Sequence, residues 1–327
     1  MFRTEVTMPE TNLRLNLPEK VVTIGSCFAE VIGAKLQQYK AVVLVNPFGT
    51  IFNPISVSKL LQAVAGENFN ITDSLVQRDG IWYSYDLHSS LSSANKDELV
   101  QLIEDRIGQT RNHLQKAKLV IITLGTAVSY KLADSGTIVA NCHKLPARQF
   151  FRELLTIADI TDNMALAIKS LHKTNPELQF IITVSPVRHV KETLQVNSVS
   201  KSLLRVASHY LSEQLPGVFY FPAYEIMLDD LRDYRFYSSD MLHPTQVAED
   251  YIWQKFVATY LHPTYQQFIP EWDKVQRAIA HRPFHPQAEA HQTFLQNTIK
   301  QLEQLSETYK VAAETEIKIL KAQLIGN

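Results

Sequence analysis

The sequence predicts an α/β fold: a three-layer, doubly wound, mostly parallel sheet with a C-terminal helical extension. Three observations carry this reading. Short apolar runs rich in Val and Ile alternate at least four times with longer segments of helical periodicity. Two of the runs, 119–124 (LVIITL) and 179–184 (QFIITV), are nearly continuous, as strands covered on both faces require. Beyond Pro286 the chain lacks proline and spaces its apolar residues mostly by three or four, the pattern of an amphipathic helix.

The elements follow in order. Residues 21–25 (VVTIG) read as a strand, followed at once by a helix from Cys27 to about Tyr39. Residues 42–45 form a second strand, which enters a loop, NPFGTIFNP at 46–54, too rich in Pro, Asn and Gly for regular structure. A helix over 56–65 and a hairpin over 77–85, turning at Asp79-Gly80, come next. Leu99, Leu102, Ile103, Ile107 and Leu114 mark a helix over 95–115. After the strand at 119–124 the pattern predicts a helix over 150–173, the strand at 179–184 and a helix over 196–211. A short strand at 218–221 and a helix over 247–260 complete the domain, assigned to residues 1–262. Pro263, Pro270, Pro283 and Pro286 then punctuate a connector. One long helix follows, with Leu295, Ile299, Leu302, Leu305, Tyr309, Ala312, Ile317, Leu320 and Leu324 on its stripe; the extension is 263–327. That stripe serves either to pair with its copy in a homodimer or to lie along its own domain.

Composition narrows the function. A chain of 327 residues, 45% of them apolar, buries roughly three quarters of its unfolded surface, so its fold needs no metal or disulfide framework. The net charge of -1 supplies no concentrated positive field for nucleic acid or an anionic membrane. Two cysteines make no disulfide scaffold, the N-terminal residues lack a secretory pattern, and no apolar run nears the ~18 residues of a membrane span. The expected compartment is cytoplasmic.

Gly25-Ser26 falls where the first strand gives way to a helix. Ligands of open α/β sheets bind outside the carboxyl ends of the strands, and a helix N-terminus there favours a developing oxyanion. The bland alternative is a capping serine. The run Gly25-Ser26-Cys27-Phe28-Ala29 resembles the signature of the GSCFA domain family, which is similar to the SGNH (GDSL-like) hydrolases. The resemblance extends to NPFGTIFNP at 46–54, TLGTA at 123–127, NCHK at 141–144, SPVRH at 185–189 and FPAYEIMLDDLRDYRFYSSDMLHP at 221–244. It implies a flavodoxin-like sheet of the SGNH type and a catalytic triad of Ser26, Asp240 and His243, the last two in an Asp-x-x-His motif. In such a triad His243 takes the Ser26 proton while Asp240 holds the other ring N–H.

The resemblance also implies further oxyanion donors. Gly49 stands where the second-block glycine belongs. The third block reads Gly125-Thr126-Ala127 and lacks the usual asparagine, so either Thr126 or Asn141 takes its place. His143 is a loop histidine that either contacts substrate or is structural. Arg188 and His189, at the carboxyl end of a buried strand, either bind a substrate anion or sugar oxygen or pack as loop residues. Cys27, near a helix start that would lower a thiol pKa, is read as a packed small residue rather than a nucleophile or, with Cys142, His143 and His243, a metal ligand. The implied activity is that of an esterase or acyltransferase on small acyl esters, carbohydrate esters among them, with no cofactor and no metal. The alternative is a ligand-binding module on a degenerate hydrolase fold.

Overall fold

A computed structural model describes residues 4–325. Among the described residues, ten strands and ten α-helices run in chain order. The strands are β1 (Lys20–Gly25), β2 (Val42–Val45), β3 (Leu75–Arg78), β4 (Ile81–Ser84), β5 (Ala117–Leu124), β6 (Val128–Leu132), β7 (Ile138–Val139), β8 (Phe150–Leu154), β9 (Gln179–Val184) and β10 (Val218–Phe221). The helices are α1 (Cys27–Gln38), α2 (Pro54–Ala65), α3 (Lys96–Leu114), α4 (Ile157–Thr174), α5 (Leu194–Gln214), the single turn α6 (Ala223–Glu225), α7 (Gln246–Tyr260), α8 (Pro263–Ala280), α9 (Glu289–Tyr309) and α10 (Glu314–Lys321).

Five strands form the central sheet in the order β10-β9-β5-β1-β2, every pair parallel. Side chains alternate across it. Val21, Leu119, Ile121 and Ile181 face α1 and α7, while Val22, Ile24, Val120, Ile122, Phe180 and Ile182 face α2 to α5. Burial on both faces explains why β5 reads as an unbroken apolar run: a polar residue on either side would be desolvated. The strand order reverses between β1 and β5, and crevices open at the carboxyl ends of strands at such a switch point.

Two elements depart from the sequence reading. The helix expected over 150–173 begins only at Ile157. Phe150–Leu154 instead pairs antiparallel with β6, which also pairs with β7, in a small second sheet. Thr156 and Asp159 form a reciprocal capping box that fixes the helix start. The extension, expected as a connector and one long helix, is three helices. In α8, Tyr265, Phe268, Trp272 and Val275 are buried, and that apolar face carries the helix through Pro270. The terminal stripe breaks at Lys310, whose φ of 56° ends α9 and turns Val311 and Ala313 inward. Leu295, Leu302, Leu305 and Leu320 then bury against the same cluster as α1 and α7, so the stripe lies along its own domain. Among the described residues, no helix is long and apolar enough to cross a membrane.

Candidate functional site

β1 ends at Gly25 with φ at 133°, and a Cβ there would lie 2.1 Å from the Thr123 carbonyl oxygen of β5. Only glycine tolerates that approach. Ser26 N–H donates to the same oxygen at 2.9 Å, and Ser26 becomes the N-cap of α1. Its side chain makes no capping hydrogen bond, however; the hydroxyl is buried and unpartnered. The role of an ordinary capping serine is therefore not filled. The hydroxyl sits at the switch point between β1 and β5.

Backbone hydrogen bonds stitch three distant sequence motifs together here. Asn46 N–H donates to Thr23 O at 2.9 Å and Ile51 N–H to Gly25 O at 2.8 Å, pinning the 46–54 loop beside the serine turn. Phe52 O accepts from the N–H groups of Gly125 (2.9 Å) and Thr126 (3.1 Å), tying that loop to the end of β5. Glu30 of α1 accepts from Thr50 Oγ1 at 2.8 Å and Asn46 Nδ2 at 3.2 Å.

On the loop before α7, His243 Nδ1 and Asp240 Oδ2 are 2.6 Å apart, so the ring donates through Nδ1–H and presents Nε2 outward. Met241, between them, has φ of 59°, which folds the loop so that both side chains meet. Asp240 Oδ1 accepts from the backbone N–H groups of Leu242 (2.8 Å) and His243 (3.0 Å). These bonds to His243 and Leu242 hold its carboxyl down at about 2. Arg188 clamps this loop from behind. Its backbone N–H reaches Leu242 O at 3.2 Å, its guanidinium reaches Met241 O at 3.3 Å, and the group lies 3.9 Å over the Tyr237 ring. No hydrogen bond joins His243 to Ser26.

His189 lies beside Gly125, just past the end of β5. Its Nε2 would lie 3.3 Å from a Cβ on Gly125, its ring meets Phe52 edge-on at 5.0 Å, and its backbone N–H donates to Asn197 Oδ1 at 2.9 Å. The Nε2 atom is buried without a partner. Burial above all, then the charges of Lys201 and His243, lowers this imidazole to about 4.

Sequence reasoning missed Lys201. The side chain is fully buried, donates to Gly125 O and Ser185 O at 2.7 Å each, and so bridges the carboxyl ends of β5 and β9. Burial pulls the amine down to about 7. The signal was present: Lys201 falls in phase with the buried Leu204, Ser208 and Leu211 of α5. A lysine on the apolar stripe of a helix is rare unless its amine has partners.

Four candidate site residues make hydrogen bonds elsewhere. Gly49 N–H closes a turn on Asn46 O at 2.8 Å. Thr126 Oγ1 bonds Ser200 Oγ at 3.0 Å and accepts from Val128 N–H at 3.0 Å. Asn141 Oδ1 accepts from His143 N–H at 2.8 Å. His143 is buried, with Nδ1 on Ser89 Oγ (2.9 Å), Nε2 on Ser84 O (2.7 Å) and its ring stacked on Tyr83, so the structure gives it the packing role. The local reason is the same throughout: these polar groups close loops whose backbone would otherwise be unpaired. Burial, then Glu30, raises the Cys27 thiol despite the helix start, which argues against a thiolate nucleophile. Among the described residues, no three His, Cys, Asp or Glu side chains gather as a metal site, Cys27, Cys142, His143 and His243 included.

Comparison with known proteins bears on the whole chain. No curated protein matches it. Two solved structures align over most of its length. One is a Streptococcus pneumonia chain described as a candidate platelet activating factor, at 13% identity and TM-score 0.39, covering 75% of this chain and 85% of that one. The other is a Clostridium thermocellum family 3 carbohydrate esterase, at 13% identity and TM-score 0.31, covering 74% and 96%. Residues 272–326 match the C-terminal domain of GSCFA domain proteins. Residues 20–256, from the first strand of the sheet to the last helix that packs on it, match the GSCFA family model, and the chain belongs to the GSCFA family.

Proposed function

We propose that the chain is a serine-dependent ester hydrolase or O-acyltransferase that acts on small acyl esters, such as acetyl groups on carbohydrate, through an acyl-enzyme on Ser26. The observation that carries this is the Asp240–His243 pair: with Nδ1–H held at 2.6 Å, only Nε2 is left to take a proton. In the proposed reaction Ser26 Oγ attacks the ester carbonyl carbon as its proton passes to His243 Nε2. The tetrahedral intermediate then expels the alcohol, which takes the proton back from the imidazolium. Water or another hydroxyl repeats the sequence in reverse to release the acyl group.

One further feature supports the reading: Ser26 is relieved of capping duty, and its hydroxyl has no partner in the fold. Ser26 and His243 must still approach one another, since catalytic hydrogen bonds often tighten only when substrate binds. The unmade Ser26–His243 bond also favours a second reading, a binding module without turnover.

A fluorophosphonate probe separates the two. Labelling that is abolished in Ser26→Ala and slowed in His243→Ala is the outcome the enzyme predicts. A folded wild-type protein that stays unlabelled through long incubation is the outcome of the binding module.

A further inference from the structure

Acyl transfer through Ser26 requires donors aimed at the oxygen that becomes negative, and losing one such donor typically costs ~10²–10³ in kcat. Hydrogen-bond accounting at this rim leaves few free. Ser26 N–H is held by Thr123 O, Gly49 N–H by Asn46 O, and the N–H groups of Gly125 and Thr126 by Phe52 O. The Thr126 hydroxyl is tied to Ser200 and Val128, and Asn141 is anchored through its Oδ1, which accepts from His143 N–H. Besides the hydroxyls of Thr23, Thr123 and Thr183 within the strands, one buried side-chain nitrogen among the described residues has no partner: His189 Nε2, beside the Cβ-less face of Gly125 just past the carboxyl end of β5.

The surroundings bring this nitrogen to the serine. Gly25 pairs with Thr123 in the sheet, and Gly125 follows Thr123 by two residues, one past the end of β5. Lys201, which holds Gly125 O and Ser185 O, acts electrostatically on both His189 and Cys27, and Cys27 is the residue after the serine. His243 acts on His189 as well. We propose that His189, in its Nε2–H tautomer, is an oxyanion donor of this site: a catalytic residue that hydrogen-bonds the carbonyl oxygen as Ser26 Oγ adds to it. The inference rests on the serine-hydrolase reading above.

The chemistry suits a donor rather than a second base. An imidazole lowered to about 4 is neutral throughout the working range of an esterase, accepts protons poorly and keeps one N–H to give. A neutral imidazole with a depressed pKa serves as electrophile in other enzymes. His243, held by Asp240, takes the proton, and His189 changes no bond during the reaction. A Cβ on Gly125 would crowd this ring, meeting Phe52 at 3.1 Å and His189 Nε2 at 3.3 Å, so the neighbours would have to give by a few tenths of an ångström.

The test compares His189→Phe, which keeps an apolar ring against Phe52, with His189→Gln, which restores an N–H donor. p-Nitrophenyl acetate turnover and the rate of Ser26 labelling by a fluorophosphonate are the readouts, and thermal melts confirm folding. The phenylalanine variant is expected to lose about 100-fold or more in kcat with KM within threefold. The glutamine variant is expected to regain at least tenfold of that. A phenylalanine variant within threefold of wild-type kcat, or a glutamine variant no better than it, overturns the proposal. Should the phenylalanine variant fail to fold, His189→Ala replaces it with the same thresholds. A wild-type protein that neither turns over ester nor labels at Ser26 instead overturns the hydrolase reading, and the inference with it.

Discussion

Lys201 donates to the carbonyl oxygen of Gly125 at 2.7 Å from a fully buried position, and no carboxylate among the described residues stands beside it. A neutral amine has two N–H bonds, and Gly125 O and Ser185 O take both. With its folded pKa lowered to about 7 against an ordinary value of 10.5, the folded state binds fewer protons than the unfolded chain between those limits. Stability therefore rises with pH across that window. Urea unfolding at pH 7, 8 and 9 should show a Lys201 contribution of roughly 1 kcal/mol per pH unit, which Lys201→Met removes. Parallel pH profiles for the two proteins would refute the neutral-amine account.

His189 predicts acid sensitivity. Its folded value of about 4 lies below the ordinary 6.5, so the unfolded chain again binds more protons in between. Its contribution is whole above pH 6.5 and is lost as pH falls through 4. Thermal melts from pH 7 to 4.5 should fall less steeply in His189→Gln than in wild type. An equal or steeper fall in the variant counts against it.

Asp240→Asn preserves shape but withdraws the carboxylate that fixes the Nδ1–H tautomer of His243. Ester turnover should drop by roughly 10³- to 10⁴-fold while the melting temperature barely moves, because the pair sits on an exposed loop. Steady-state kinetics with p-nitrophenyl acetate measure this. Undiminished turnover would remove His243 from the proposed mechanism.

Gly25→Ala should be costly even though alanine is the smallest replacement. Its Cβ would lie 2.1 Å from Thr123 O, at a φ that side chains rarely adopt. The loss is about 3 kcal/mol or more, read by chemical denaturation. A change within 0.5 kcal/mol would mean that β1 and β5 do not approach this closely.

Trp272 of α8 is buried, donates Nε1–H to Gln38 O at 2.9 Å and carries Lys40 4.8 Å over its ring. The extension is thus bolted to the end of α1, the helix that Ser26 begins. Trp272→Ala is expected to cost ~3–5 kcal/mol in unfolding free energy. A loss below 1 kcal/mol would show that the extension packs only loosely on the sheet domain.

Residue order was enough to determine the strands of the central sheet, since Val21–Gly25, Leu119–Leu124 and Gln179–Val184 must be desolvated on both faces and leave no helical alternative. The pairing of Asp240 with His243 was implied by the resemblance at the Asp-x-x-His motif, and in the fold one left-handed residue, Met241, lets the two side chains meet. Local pattern failed where distant partners competed. Phe150–Leu154 takes its conformation from β6, and the stripe from Leu295 to Leu324 breaks at Lys310 to follow the curvature of its own core. Only the tertiary structure decided which polar groups remain uncommitted at the rim. Thr126, Asn141 and Gly49 were plausible donors in the chain, yet folded loops claim the Thr126 hydroxyl and Gly49 N–H and anchor Asn141 through its Oδ1, while His189 and Lys201 came to Gly125 from two other segments. Hydrogen bonds saturate, so which donor stays free depends on every neighbour a group meets in three dimensions.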